Sequence, residues 1–264
     1  MDKILTANSS DFVNSLAKGL AVIKSFGPQS PRMTLTEVAE KANMTRPSAR
    51  RFLLTLTQLG YAYHDGKYFE LTPKTLELGY HYLSSLPFWE KAQYYADSLK
   101  DQLRETCTIA VLNHNTVASI VRAAEENRVM TISMDLRSRL PVHATSFGQV
   151  MLAAMNEEVL EAKLEGLELE AYTPRTLITK EALRARLSEV RTQGYAYVDQ
   201  EHEVGLRSIA VPLVNEAGEC IAAMAICTNV LRVSRGRVLN DYLPALQATV
   251  DRMQRDITFP AAVA

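Results

Sequence analysis

The sequence predicts an α+β protein: an N-terminal winged helix-turn-helix domain, a linker helix, and a C-terminal domain in which helices flank an antiparallel sheet. Three observations carry this. Residues 34–71 read helix, tight turn, helix, hairpin, the element order of a winged helix-turn-helix. From Thr106 onward much of the apolar pattern alternates, as in half-buried strands, with helical stretches between. Charge divides along the same line: residues 1–73 hold nine Lys/Arg against six Asp/Glu, whereas residues 74–264 hold 20 against 24. The expected boundaries are 12–73 for the first domain, 74–87 for the linker and 88–258 for the second.

The elements follow in order. Residues 12–26 form a helix with Leu16, Leu20, Ile23 and Phe26 on one face, stopped by Gly27-Pro28. Thr34 and Glu37 are spaced for a capping box that starts the next helix, residues 34–42, with Leu35, Val38, Ala39 and Ala42 inward. Asn43-Met44 makes the turn. Residues 45–59 form the second helix of the motif, capped by Thr45, with Pro47 in the first turn, where its missing N–H costs little. Asp65-Gly66 closes the hairpin. Residues 74–86 form the linker helix and 88–105 another helix. Strands at 108–112 and 117–123 flank His114-Asn115, and a further strand is expected at 129–134. Helices at 147–155, 157–164 and 181–193 precede strands at 196–199, 208–214 and 220–228, and a long helix at 235–255 closes the chain.

In the second helix of the motif, Ala49, Phe52, Leu53 and Leu56 share one face and pack inward. Arg50, Arg51 and Thr55 then point outward, and Thr45, Arg46 and Ser48 lie at its start. A helix laid in the major groove offers its N-terminal residues to base edges. Arginine suits guanine bidentately, and hydroxyl residues contact phosphates or bases. Lys67, beside the hairpin turn, is placed for a backbone phosphate. Lys41, Arg46, Arg50 and Arg51 fall within eleven residues that contain no acid, so double-stranded DNA is the expected partner.

Other classes are disfavoured. No apolar run is long enough to span a bilayer, and residues 1–12 lack a signal core, so a cytoplasmic protein without membrane association is expected. Cys107, Cys220 and Cys227 form no CxxC pair and read as reduced, buried thiols. An enzyme would have to draw on Asp199, Glu201, His202, His143 or Cys107, but no nucleophile element, P-loop or dinucleotide fingerprint is present. A metal sensor would need His143, Glu201, His202 and Cys220, and on a strand Glu201 and His202 would face opposite ways. No cofactor or metal is expected.

Several long stretches resemble the isocitrate lyase regulator (IclR) family of bacterial transcription factors: SLAKGLAVIKSF (15–26), LTEVAEKANMTRPSARRFLLTLTQLGY (35–61), KYFELTPKTLELG (67–79), RLPVHATSFGQVMLA (139–153) and GYAYVDQEHEVGLRSIAVPLVNEAGECIAAMAI (194–226). LPVHATSFG and YLPAL (242–246) are most similar to the subgroup controlling protocatechuate and 4-hydroxybenzoate catabolism. The chain departs from the family pattern at Asn43, Val142-His143, Asp135-Leu136 and Gln149. The resemblance implies a GAF-like C-terminal domain that binds a small organic acid, an aromatic acid in this subgroup. A homodimer or dimer of dimers is expected because one head makes a short contact and paired heads read a palindrome, and RNA polymerase is a further candidate partner. Thr145 or Ser146 can cap the helix that starts near Phe147, with Gly148 keeping its first turn open to a carboxylate. Asp199, Glu201 and Ser208 are the expected polar partners across the pocket, and Leu112, Met134, Met151, Met224 and Ile226 its apolar walls. A non-aromatic acid or a metal is the alternative effector.

Overall fold

The computed structural model describes residues 11–84, 88–124 and 140–257. The chain divides into two compact units, Met1–Tyr82 and Leu83–Ala264. The first unit contains α1 (Asn14–Ser25), β1 (Arg32–Thr34), α2 (Leu35–Lys41), α3 (Arg46–Gln58), β2 (Ala62–His64) and β3 (Tyr68–Leu71). Thr34 and Glu37 form the capping box: the Glu37 amide donates to Thr34 Oγ1 at 3.4 Å, and the Thr34 amide donates to Glu37 Oε2 at 2.7 Å. Asn43 makes the turn with a left-handed backbone, φ 48°. Val22, Phe26, Met33, Val38, Leu53, Leu56, Ala62 and Phe69 form the core.

Two expectations change here. Leu16 and Leu20 do not face inward; they are 63% and 42% exposed, whereas Phe26 is buried and Ile23 packs against the core as expected, and Val22 joins them. Val22 lies on a different face of α1 from Leu16 and Leu20, and contact with α3 selects that face; Phe26 follows the helix as its extended C-cap. The stretch between Gly27-Pro28 and Thr34, to which the sequence assigns no element, ends in a short strand. Arg32–Thr34 pairs with Tyr68–Glu70, giving a sheet of order β1-β3-β2, and Met33 lies opposite Phe69 in the core. Three residues are too few for periodicity to reveal a strand.

The wing turn is organised by Asp65. Its Oδ1 accepts the amides of Lys67 at 2.9 Å and Tyr68 at 2.7 Å, and its other oxygen pairs with Arg32. The two amides, chiefly, lower the carboxyl from 3.8 to about 2. Gly66 follows at φ 102°, a conformation that a side chain would strain. After the wing, a 3₁₀ turn at Pro73–Thr75 leads into α4 (Leu76–Ser84), whose Leu76, Leu78, Tyr80 and Tyr82 are exposed.

The second unit contains α5 (Trp89–Leu103), β4 (Thr106–Asn113), β5 (Thr116–Ala123), β6 (Leu140–Pro141), α6 (Ser146–Ala153), α7 (Glu157–Glu165), α8 (Lys180–Gln193), β7 (Ala196–Asp199), β8 (Leu206–Val214), β9 (Cys220–Asn229), α9 (Arg235–Arg237) and α10 (Leu243–Asp256). The sheet is antiparallel throughout, in the order β6-β5-β4-β9-β8-β7. The strand expected at 129–134 lies outside the described residues. The final helix is not uniform: a π-helical turn, Val238–Tyr242, joins α9 to α10. Pro244 explains it, since its ring would meet the carbonyl of Asn240 in a regular α-turn, and a wider turn relieves the clash.

Side-chain alternation gives the sheet two distinct faces. One carries Ile109, Ile209, Val211, Leu213, Met224 and Ile226 and packs with α5 and α10. The other carries Ala110, Ala196, Ala210, Ala223, Ala225 and Cys227 and packs with α6 and α8. The alanines let α6 approach closely, and all eight of its residues are buried.

The Asp65 turn has a pH signature. A depressed carboxyl contributes stability above its unfolded value, and that contribution disappears as pH falls through the folded value. Amide exchange at Lys67 and Tyr68 is therefore expected to quicken between pH 3.8 and about 2. Asp65→Ala is expected to show the fast exchange already at neutral pH.

Candidate functional site

The first unit presents a basic surface along α3. Ala49, Leu53 and Leu56 are buried and Phe52 is half-buried, so the opposite face is left to solvent. Thr45, Arg46, Arg50, Arg51, Thr55 and Lys67 are exposed, and Ser48 is half-buried. Arg46 and Arg50 are one turn apart, as are Arg51 and Thr55. Two details differ from expectation. Thr45 occupies the N-cap position, but its side chain makes no capping bond. Thr55 spends its hydroxyl proton on the Arg51 carbonyl at 2.8 Å, so it has none to donate to a phosphate. Lys67 Nζ lies 5.0 Å from the Tyr68 ring centroid, which steadies its stem at the wing tip.

The second unit holds a small cavity on the alanine face of the sheet. Leu140, Ala144, Thr145, Phe147, Val198, Glu201, His202, Leu206, Ser208 and Cys227 line it. Its volume is about 20 Å³, room for about one water molecule. The start of α6 forms one wall. Thr145 caps that helix: its hydroxyl accepts from the Gly148 amide at 3.2 Å and donates to the Pro141 carbonyl at 2.9 Å. Ser146 does not share this role; its hydroxyl is buried without a hydrogen-bond partner among the described residues.

Gly148 does not keep the first turn open. A Cβ there would lie 2.1 Å from the Val142 carbonyl oxygen and 2.3 Å from its Cα. The glycine instead lets the 141–145 backbone rest directly on the helix, which brings Ala144 and Thr145 to the cavity.

Glu201 is the cavity's charged group and is only 4% exposed. Its Oε1 accepts from Arg186 Nη1 at 2.9 Å and its Oε2 from Gln149 Nε2 at 2.8 Å. The same Gln149 nitrogen donates to the His143 carbonyl at 2.8 Å. Burial raises the Glu201 carboxyl above its ordinary value, against the opposing pull of Arg186 and Gln149. Glu201 and His202 do not alternate as strand residues would. β7 ends at Asp199, Gln200 turns the chain at φ 64°, and both following side chains line the cavity. Thr173 and Thr176 hold this turn by donating to the carbonyls of Gln200 at 2.6 Å and Glu201 at 2.5 Å. Above it, the His202 ring stacks on Tyr172 at 5.2 Å, and Tyr172 lies 5.9 Å from His143. Burial lowers the pKa of both imidazoles.

Of the expected effector residues, Thr145, Glu201 and Ser208 line the cavity. Asp199 does not. It lies one residue out of phase with Val198, and Arg207 at 3.2 Å and Arg175 at 3.2 Å hold it. Met224 and Ile226 face α5 and α10, on the other side of the sheet. Leu112 and Met151 belong to the α6 side but sit away from the lining, and Met134 lies outside the described residues. Strand phase is the signal that finds the missing residues: taking Ser208 as inward brings in Leu206, and the register places Ser208 against both Val198 and Cys227. The Cys227 thiol, pushed up to about 12 by burial, is unreactive at neutral pH, and Cys107 is buried likewise. Cys220 is half-buried rather than buried. Among the described residues no three His, Cys, Asp or Glu side chains gather as a metal site would require, and no helix is long and apolar enough to cross a membrane.

Gly148→Ala would push rigid backbone against rigid backbone. Its expected cost is at least about 2 kcal/mol, read as a lower urea midpoint at unchanged slope.

Residues 15–66 match the family model described as the IclR helix-turn-helix domain, and residues 80–255 match that of the bacterial transcriptional regulator IclR C-terminal domain. The Pca regulon regulatory protein of Pseudomonas putida is 42% identical over 238 residues, 90% of this chain and 82% of that protein. A crystal structure of a transcriptional regulator from Rhodococcus sp. RHA1 superposes with a TM-score of 0.84 at 39% identity, covering 93% of this chain and 98% of the other. The inducer-binding domain of Acinetobacter PobR, a double mutant in complex with 3-hydroxybenzoic acid, superposes with a TM-score of 0.61 at 32% identity, covering 64% of this chain and 98% of the other. The chain belongs to the IclR family: it is a transcriptional regulator with a DNA-binding helix-turn-helix domain and a family-typical C-terminal domain.

Proposed function

We propose that this regulator controls genes for the breakdown of an aromatic acid, in the cytoplasm, and that the acid itself is the effector bound in the Glu201 cavity. The observation that carries this reading is the make-up of the cavity. Apolar side chains, Leu140, Phe147, Val198 and Leu206, form walls suited to a ring, and the start of α6 is a helix N-terminus suited to a carboxylate. The relatives support the same chemistry, one through its Pca regulon and one through its bound hydroxybenzoate. A cavity of about 20 Å³ must widen to admit a ring, so lining side chains such as Phe147, Leu206 and His202 have to repack. That repacking is the differential interaction through which an effector shifts a conformational equilibrium.

On the output side, Arg46, Arg50 and Arg51 read the operator from α3, Thr45 and Ser48 add contacts at its start, and Lys67 holds a phosphate from the wing. The protein acts as a homo-oligomer. One head makes a short contact, and paired heads read a palindrome. The exposed apolar residues of α1 (Leu16, Leu20) and α4 (Leu76, Leu78, Tyr80, Tyr82) are surfaces suited to such pairing.

Alanine at Arg46, Arg50 or Arg51 is expected to cost about 1–3 kcal/mol of operator affinity and to flatten its salt dependence. The same variants should keep the melting-point rise produced by effector. Fluorescence anisotropy on the neighbouring promoter checks the first outcome, and a thermal-shift screen of aromatic and short keto acids checks the second. A rise with keto acids alone, or wild-type binding no tighter than to random DNA, would contradict the reading.

A further inference from the structure

We propose that Arg186 and Gln149, which do not line the cavity, hold Glu201 as an ionised acceptor in its wall, so that the site selects a monocarboxylic acid bearing a ring hydroxyl and refuses a second carboxylate. The inference rests on the aromatic-acid reading above and assigns the end of the ligand opposite its carboxylate.

A glutamate that is only 4% exposed keeps its charge only if it is paired. Arg186 supplies the opposite charge to Oε1, and Arg186 is itself held from behind by Glu189 at 3.6 Å. Gln149 supplies an amide to Oε2 and cannot turn away, because the same nitrogen also bonds the His143 carbonyl. With two acceptors facing that nitrogen, its amide oxygen is left buried and unpartnered among the described residues. The amide orientation therefore follows from the hydrogen-bond network. Each carboxylate oxygen can accept about two hydrogen bonds, so each has capacity for one more. Both groups that bond to the Glu201 carboxylate are donors outside the cavity lining, whereas Glu201 itself lines it.

An ionised carboxylate can only accept. It welcomes a phenolic O–H and leaves the hydroxyl of Ser208, on the neighbouring strand, to complete the contact. A second ligand carboxylate would face it at low dielectric with no proton between them. If Glu201 were protonated the logic would reverse, because the acid could then donate to a carboxylate. Arg186 and Gln149 are thus positioning residues that set which ligand chemistry the wall reads. A site built around a hydroxyl discriminates sharply against the analogue that lacks it, because the site's own polar group is then left unpaired.

The test is calorimetric titration of the full chain with 4-hydroxybenzoate, benzoate and terephthalate. Wild-type protein is expected to bind 4-hydroxybenzoate at least about tenfold more tightly than benzoate, as a hydrogen bond to a charged acceptor implies. Terephthalate should bind more weakly than benzoate. Breaking the ion pair with one substitution risks unfolding, so the decisive variant removes both charges, R186M with E201Q. It should shrink the preference for the hydroxyl, because an uncharged amide oxygen is the weaker acceptor, and narrow the gap between terephthalate and benzoate. Equal binding of 4-hydroxybenzoate and benzoate by wild type would overturn the inference while leaving the aromatic-acid reading standing. So would a double variant that keeps the wild-type ratios. Binding of none of the three acids would overturn both.

Discussion

The close contact between α6 and its surroundings is the constraint on which the effector domain depends. Alanine side chains at positions 110, 210, 223 and 225 keep one face of the sheet low enough for a fully buried helix. Gly148 lets the backbone at Val142 press onto the first turn of that helix. Thr145 then fastens both ends of the contact, to the Pro141 carbonyl on one side and the Gly148 amide on the other. The cavity is the small space left where α6 begins and the 200–205 turn passes over the sheet. Interiors packed this densely do not deform gradually, so a ligand entering there must move α6, the turn, or both between discrete arrangements.

A second layer of organisation is polar. Glu201 joins three pieces of chain that are remote in sequence: α8 through Arg186, α6 through Gln149, and the loop before α6 through the Gln149 bond to His143. Thr173 and Thr176 add a fourth by holding the carbonyls of residues 200 and 201. Breaking such a buried pair costs about 3–5 kcal/mol when one charge is left behind. The network is therefore both the wall of the cavity and the brace of the elements around it. An effector that bonds to Glu201 acts directly on that brace.

Much of this was legible in the residues, and the failures have physical reasons. The capping box at Thr34 and Glu37, the left-handed Asn43, the Asp65-Gly66 turn and the strands of the sheet rest on local chemistry or on runs long enough to show a period. Local reasoning could not choose between the faces of one helix, so Leu16 and Leu20 were expected inward where Val22 is. Nor could it fix strand phase at the site. Asp199, Met224 and Ile226 each sit one residue from the side chains that line the cavity or its face, because a shift of one residue sends a side chain through the sheet. Gly148 showed that a glycine was needed but not why. The close approach of Val142 is a tertiary fact. Arg186, fifteen residues before Glu201 and on another element, carries no local sign of its partner.

If the proposed effector acts as a switch, occupancy of the cavity in one unit changes how the helix-turn-helix of the other binds DNA. Coupling of this kind is reciprocal: if effector changes operator affinity by some factor, operator changes effector affinity by the same factor. The most direct measurement is therefore the dissociation constant of a hydroxybenzoate for the full chain, determined with and without a saturating operator duplex. Two different constants are expected, with a ratio equal to the effector-induced change in operator affinity. Equal constants, from a ligand shown to occupy the Glu201 cavity, would contradict the switch.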